Sequence, residues 1–505
     1  MNLVQLSGLD AGFLALESSR APMVVGGLSI LDPSSTPGGL DVARFRTVLR
    51  ARLHLAVAFR RRLAALPLDL ARPYWNELDL DAIDLEAHVE RTDLPEPGGW
   101  RELSALMAWQ LAQPLDRGRP LWHMTFVDGV RLPDYPRGTV ALVATIHHAA
   151  IDGVSGAEIL GALFDTAMPT AVSTSASAAA NAAAAPLPPA RASADVGSLA
   201  GPPLVAEAAS PPRVAEPGGP PGVLDLLART GRDLAAAPVA AGAVVGRSLL
   251  GLAAGAWSRL RSDETPPLPF SAPRSPLNRP LSGRLTWAPA TIPLDRIKAI
   301  KAAADASVND VVLAIVGGAL RGWLAERGEL PDESLVAMVP VSVRGGAERH
   351  QAGNLVSAML VPLATDEADP HARLRRIRDA ARGSKVAHQA VGARTLLDSA
   401  GLLPFALAGL GAQLYSRLHL ADRHRPIFNV VVTNVPGPPR PLRIAGATLL
   451  AHFGSAPLYD GLGLIVTVMS YAGTVSFGVT ADHAAMSDAD AFAARLTAAA
   501  EELAA

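Results

Sequence analysis

Residues 139–158 read TVALVATIHHAAIDGVSGAE, and the interpretation of the whole chain turns on them. Val140 to Ile146 is a short, strongly apolar run, the pattern of a strand buried on both faces. It ends abruptly in two imidazoles, His147 and His148. Asp152 and Gly153 follow, and from Val154 to Phe164 the spacing is helical, with Ile159, Leu160 and Leu163 on one side. In α/β proteins, a buried strand that delivers polar side chains at its C-terminal end, just before a helix, is a usual place for a site. An imidazole there can act as a general base, because its ordinary pKa of about 6.5 lies close to neutrality. Asp152 sits across a turn, where a carboxylate could orient the ring or brace the loop.

Taken alone, paired histidines could be satisfied core residues and Asp152 a helix N-cap. The complete pattern H-H-x-x-x-D-G at a strand end is far more specific and favours catalysis. A metal site is not expected. Adjacent histidines on a strand point to opposite faces, cysteine is absent, and no third ligand stands at a recognisable spacing.

Composition narrows the classes further. At 505 residues the chain is too long for one ordinary core, so two domains are expected. Hydrophobic residues make up 49% and charged residues only 18%, with a mean hydropathy of +0.24. That is oily for a soluble enzyme and suits one that handles lipid or sits on a membrane surface. A net charge of −2 gives no field that would argue for nucleic acid. Without cysteine there are no disulfides and no thiolate nucleophile. The opening MNLVQLSGLDAGF lacks the basic and apolar regions of a signal peptide, so a cytoplasmic protein is expected.

Along the chain, Val24–Ile30, Trp122–Val127, Val336–Val343, Leu355–Leu363 and Phe428–Val432 read as strands. Pro340 hints at an edge or bulge. Leu464–Ser470 and Thr474–Val479 read as a hairpin. Helical spacing covers Arg44–Leu63, Trp100–Leu111, Leu294–Ala304, a segment reaching Leu324 and His371–Lys385. Ser307 reads best as the N-cap of the fourth. Arg60, Arg61 and Arg62 read as a solvated face. Arg373, Arg375, Arg376, Arg378 and Arg382 read either as a solvated face or as a landing site for phosphates. From about Pro169 to Pro221 Ala, Pro, Ser and Gly dominate, the composition of a linker. Leu234–Trp257 is almost wholly apolar, but Pro238, four glycines and Arg247 interrupt it. An interfacial or domain-covering helix is expected there rather than a bilayer span, with Arg259 and Arg261 suited to anionic headgroups.

His147-His148-Ala149-Ala150-Ile151-Asp152-Gly153 matches the HHxxxDG signature of the CoA-dependent acyltransferase superfamily. Further stretches resemble its bacterial wax ester synthase/diacylglycerol acyltransferase branch: Pro120-Leu121-Trp122, Asn309-Asp310, Pro340-Val341-Ser342-Val343-Arg344 and Asn434-Val435-Pro436-Gly437-Pro438. The resemblance implies an α/β fold of two chloramphenicol-acetyltransferase-like domains, with mixed sheets flanked by helices. These would span 1–168 and 266–505, joined by a linker and apolar helix over 169–265. It implies that His148 is the general base, Asp152 a brace, and that His147 points away and packs. Gly153 completes the motif, and Pro120, Leu121 and Trp122 would shape an acyl tunnel or support the site, although a tryptophan beside a buried strand mostly packs. Asn309 and Asp310 would face the channel, where a carboxamide could donate to the substrate carbonyl or hold the loop.

The implied activity is transfer of a long-chain acyl group from acyl-CoA to diacylglycerol or a long-chain alcohol, without cofactor, at a membrane or lipid-inclusion surface. Two alternatives are a carrier- or polyketide-linked acyltransferase of the same superfamily and a non-catalytic lipid-droplet coat protein.

Overall fold

The run that opens at Val140 forms β7 (Val140–His147), a central strand of a seven-stranded sheet. A computed structural model describes residues 3–64, 72–151, 163–166, 270–342, 356–391, 411, 414–418 and 420–505. β7 pairs antiparallel with β6 (Trp122–Asp128) on one side and β2 (Val24–Asp32) on the other. β5 (Val89–Asp93) lies parallel to β6 at one edge. Beyond β2 come β14 (Ala447–Ser455), β13 (Leu442–Ile444) and β8 (Asp165–Thr166). A second sheet has the order β11 (Val356–Pro362), β10 (Val336–Ser342), β12 (Val430–Pro436), β15 (Leu464–Tyr471), β16 (Thr474–Asp482) and β9 (Leu285–Pro293). Its β10–β12 and β12–β15 pairs are parallel and the rest antiparallel. A small third sheet joins β1 (Leu3–Gln5), β4 (Tyr74–Glu77) and β3 (Arg61–Ala64). These mixed sheets with flanking helices are the α/β architecture expected.

A boundary at residue 266 does not separate the two large sheets. After β12 the chain crosses into the first sheet, forms β13 and β14 there, and returns as β15. The exchanged strand is locked by a buried polar pair, Ser29 Oγ and His452 Nδ1 at 2.9 Å. The imidazole closes over Gly27, where a Cβ would stand 2.7 Å from the ring, so that position admits only glycine without a shift. Burial pushes the His452 imidazole down to about 4.

Helices α1 (Gly8–Leu16), α2 (Val42–Arg52) and α3 (Trp100–Leu111) belong to the first half. α3 is held between the halves, because Leu103 and Met107 share a core with Trp287 of β9 and Phe453 of β14. In the second half stand α4 (Leu294–Ala303), α5 (Val308–Ala325), α6 (Pro370–Val391) and α7 (Ala489–Glu502). α5 is the axis of that core, with Val311 to Val316 buried at 0% exposure. Each such aliphatic side chain contributes roughly 1.5–3 kcal/mol by leaving water. Ser307 caps α5 as expected, its hydroxyl accepting from the Asp310 amide at 3.2 Å.

Several expectations need correction. The helix expected over Arg44–Leu63 stops at Arg52, and Arg61–Ala64 is instead a strand paired to β4. Ladder hydrogen bonds there, and the 2.7 Å contact of Arg60 with Glu77, override local helix propensity. The arginines of α6 are not a free cationic face. Arg373 is 2% exposed and donates to the Glu367 carbonyl, while Arg378 and Arg382 donate to the carbonyls of Ala304 and Asp305. Asn434–Pro436 continues β12. Pro340 lies within β10 but beyond Met338, the last residue paired to β12, so its missing N–H costs no bond on that side. The hairpin is as expected: Ala472 and Gly473 both have positive φ, 44° and 88°, the type I′ pattern. The segments 169–265 and most of 402–414 lie outside the described residues.

Candidate active site

β7 ends at His147, and contacts with Leu121, Ala149 and Glu17 fix that end. The His147 amide donates to the carbonyl of Leu121 at 2.9 Å, which ties it to Pro120-Leu121-Trp122. Trp122 is 2% exposed, donates from Nε1 to the Phe59 carbonyl at 3.0 Å, and stacks on His88 with ring centres 4.2 Å apart. This motif therefore supports the strand end from behind. The His147 ring is itself sealed, at 1% exposure. Its Nδ1 accepts from the Ala149 amide at 3.1 Å, so the ring proton sits on Nε2, which lies 3.5 Å from Glu17 Oε2. Glu17 immediately follows α1 and also receives the guanidinium of Arg117. Burial alone would raise the Glu17 carboxyl, but hydrogen bonds from His147 and Arg117 outweigh it and hold the pKa below the usual value.

His148 opens a single 3-10 turn, His148–Ala150. Its amide donates to the Met23 carbonyl at 2.8 Å. Met23 is buried with φ of 51°, a left-handed conformation that a long side chain rarely adopts. Strain of this kind, held beside the imidazole, is evidence of a constrained site rather than a relaxed loop. The His148 ring lies on Phe13 of α1, with centres 3.8 Å apart and planes at 21°. Burial dominates its titration and pushes the imidazole down to about 4; a contact with its own carbonyl works the other way, and His147 adds to the fall. The ring is therefore neutral at neutral pH. Nδ1 has no well-formed hydrogen bond.

His147, His148, Leu121 and Trp122 are thus brought together. Asn309 and Asp310 lie on the first turn of α5, and the Asp310 carboxylate accepts from the Ser307 amide at 2.7 Å in the capping box. Among the described residues, no hydrogen bond joins either to His148. Asp152 and Gly153 lie outside the described residues. Sequence reading passed over Glu17, Phe13 and Met23 as site residues. No spacing links Glu17 to Arg117, one hundred residues later; only the fold closes that contact.

The profile of the wax ester synthase/diacylglycerol acyltransferase catalytic domain matches residues 6–312, and that of the family's C-terminal domain matches 352–504. The chain belongs to the wax ester synthase/diacylglycerol acyltransferase family. A putative diacylglycerol O-acyltransferase of Mycobacterium tuberculosis is 33% identical over 478 residues, covering 94% of this chain and 85% of the relative. A probable diacylglycerol O-acyltransferase of the same species is 34% identical over 476 residues, covering 93% and 92%. Among solved structures, the wax ester synthase/diacylglycerol acyltransferase of Marinobacter aquaeolei superposes with a TM-score of 0.63 at 26% identity, over 99% of this chain and 98% of that one. A trichothecene 15-O-acetyltransferase from Fusarium sporotrichioides shares the fold, with a TM-score of 0.56 at 11% identity over 99% and 95%. The protein is an acyltransferase of the wax ester synthase/diacylglycerol acyltransferase family, and the two-domain fold expected from its HHxxxDG motif is the family's fold.

Proposed function

We propose that the protein moves a long-chain acyl group from acyl-CoA to the free hydroxyl of diacylglycerol, and to long-chain alcohols, with His148 as general base. The observation that carries this reading is the neutral His148 imidazole at the end of β7, with Phe13 behind it and no hydrogen bond on Nδ1. Nε2 takes the acceptor's hydroxyl proton as the oxygen attacks the thioester carbonyl. The tetrahedral intermediate then collapses, the C–S bond breaks, and the same proton passes to the departing CoA thiolate. Acyl-CoA is a substrate, so these steps require no cofactor. Asp152 braces the loop that carries His148. Asn309 is the candidate donor to the substrate carbonyl, because Asp310 is already engaged in the helix cap.

Names of the relatives support diacylglycerol as acceptor, and that of the Marinobacter enzyme supports wax ester formation as well. Purified protein supplied with a long-chain acyl-CoA should release CoA thiol only when diacylglycerol or hexadecanol is added. No release with either acceptor would defeat the reading.

The same reading places the protein in the cytoplasm, peripherally bound to the inner membrane face or to lipid inclusions. Its support is the apolar stretch 234–257 with Arg247, Arg259 and Arg261, each charge contributing about 1 kcal/mol near anionic headgroups. Membrane-bound protein should be released by salt or alkaline wash; extraction by detergent alone would indicate a spanning segment.

A further inference from the structure

On the flank of the first sheet, α3, β5, β6 and the loop after α3 line an open cavity of about 250 Å³, backed by Pro120 and Trp122 of the motif that supports the strand end. Its walls include His88, Glu90, Trp109, Gln110 and His123. The hydrogen bonds around it fix which atoms remain open. Thr125 Oγ1 donates to Glu90 Oε1 at 3.0 Å, so its lone pair is what receives Gln110 Nε2. That sets the orientation of the Gln110 amide, and its Oε1 is left buried without a partner, on a side chain only 5% exposed. His88 is 3% exposed and its Nδ1 stands 2.8 Å from the Trp122 carbonyl. A carbonyl only accepts, so Nδ1 carries the proton and Nε2 is a bare acceptor.

Two of the donors nearby are engaged. Gln113 Nε2 donates to the Trp109 carbonyl, and Arg119 lies 3.5 Å from Asp116. Burial lowers the pKa of both His88 and His123, so neither ring adds positive charge at neutral pH. Glu90 keeps its carboxylate half-exposed at the cavity, 3.9 Å from His123 Nε2. Trp109, 57% exposed, places an indole at the rim.

We propose that this cavity binds a small primary ammonium compound. Three N–H donors and one positive charge match the bare acceptor His88 Nε2 and the Glu90 carboxylate, and the Trp109 ring suits a cation or its carbon chain. Thr145, two residues before His147, belongs to the same wall. An occupant would therefore touch the strand that ends at the catalytic loop while staying clear of the reacting atoms.

Calorimetric titration of the whole purified protein tests this. Butylammonium chloride should bind saturably, 1-butanol should not, and tetramethylammonium, which has no N–H, should bind more weakly. Glu90→Gln and Trp109→Ala alter half-exposed or exposed side chains, so both should keep the wild-type melting temperature while weakening butylammonium about three- to tenfold. Ethanolamine compared with phosphatidylethanolamine vesicles tells a free amine from a lipid headgroup; binding of either supports the site and names its source. A cavity filled only by water would give no saturable heat with butylammonium, and that result overturns the proposal. So would equal binding of butanol, or undiminished affinity in both variants.

Discussion

His147 Nε2 lies 3.5 Å from Glu17 Oε2, so the first imidazole of the motif faces a carboxylate. The contact also keeps the His147 proton on Nε2, which frees Nδ1 to accept from Ala149 and hold the turn. Under the proposed mechanism Glu17 is a positioning residue for His148, acting through His147. Glu17→Ala should lower kcat by about 10- to 100-fold, the usual consequence of misplacing a reacting group by roughly 1 Å, with little change in the KM for acyl-CoA. Glu17→Gln retains an acceptor for Nε2 and should recover most of the rate. An alanine variant whose KM rises while kcat holds would remove this role.

His148→Ala should abolish most turnover and leave the fold intact. General-base loss typically costs about 10²–10⁴ in rate. The ring gives up a stack on Phe13 but no hydrogen bond from Nδ1, so the melting profile should stay close to wild type. Wild-type turnover in a folded variant would be incompatible with the mechanism.

Trp122→Phe keeps the apolar ring but deletes the Nε1 donor to the Phe59 carbonyl. A stability loss of about 0.5–1.5 kcal/mol is expected for the bond, with more if the carbonyl stays dry. Trp122→Ala should cost about 3–5 kcal/mol through the cavity it leaves. Urea unfolding of both variants separates the two terms; equal losses would mean that the bond dominates.

His452 gives stability a pH dependence with a definite sign. Its folded pKa of about 4 lies below the ordinary 6.5, so between those values the unfolded chain binds the proton and the native one does not. The contribution is complete above about pH 6.5 and is lost as pH falls toward 4, at up to about 1.4 kcal/mol per pH unit. His148 acts in the same direction over the same window. The difference in unfolding free energy between wild type and His452→Gln should be flat above pH 6.5 and shrink below it. Parallel curves down to pH 4 would show that the ring is not held neutral.

Much of the fold could be read in the sequence because the long apolar segments are consistent at every level. β7, α3 and α5 each combine a clear period with a clear end signal, and each stands where it was expected. What escaped was decided by distant partners. Arg61–Ala64 has no strand signal until Tyr74–Glu77 lies beside it, and Arg373 reads as solvated until Gly318 opens room for its guanidinium. At the site, the histidine pair was visible because its pattern is local. Glu17 was not, because its meaning depends on Arg117 and His147 converging from separate elements.

The exchange of β13 and β14 sets an order on synthesis. The outer edge of β2 has no partner until Ser455 has left the ribosome, which at roughly 5–20 residues per second is a delay of some tens of seconds. During that time an apolar strand edge stands open beside Gly27. The N-terminal half, made alone, would keep that edge for good. It should aggregate or bind chaperones when expressed by itself, and become soluble when the C-terminal half is supplied in the same cell.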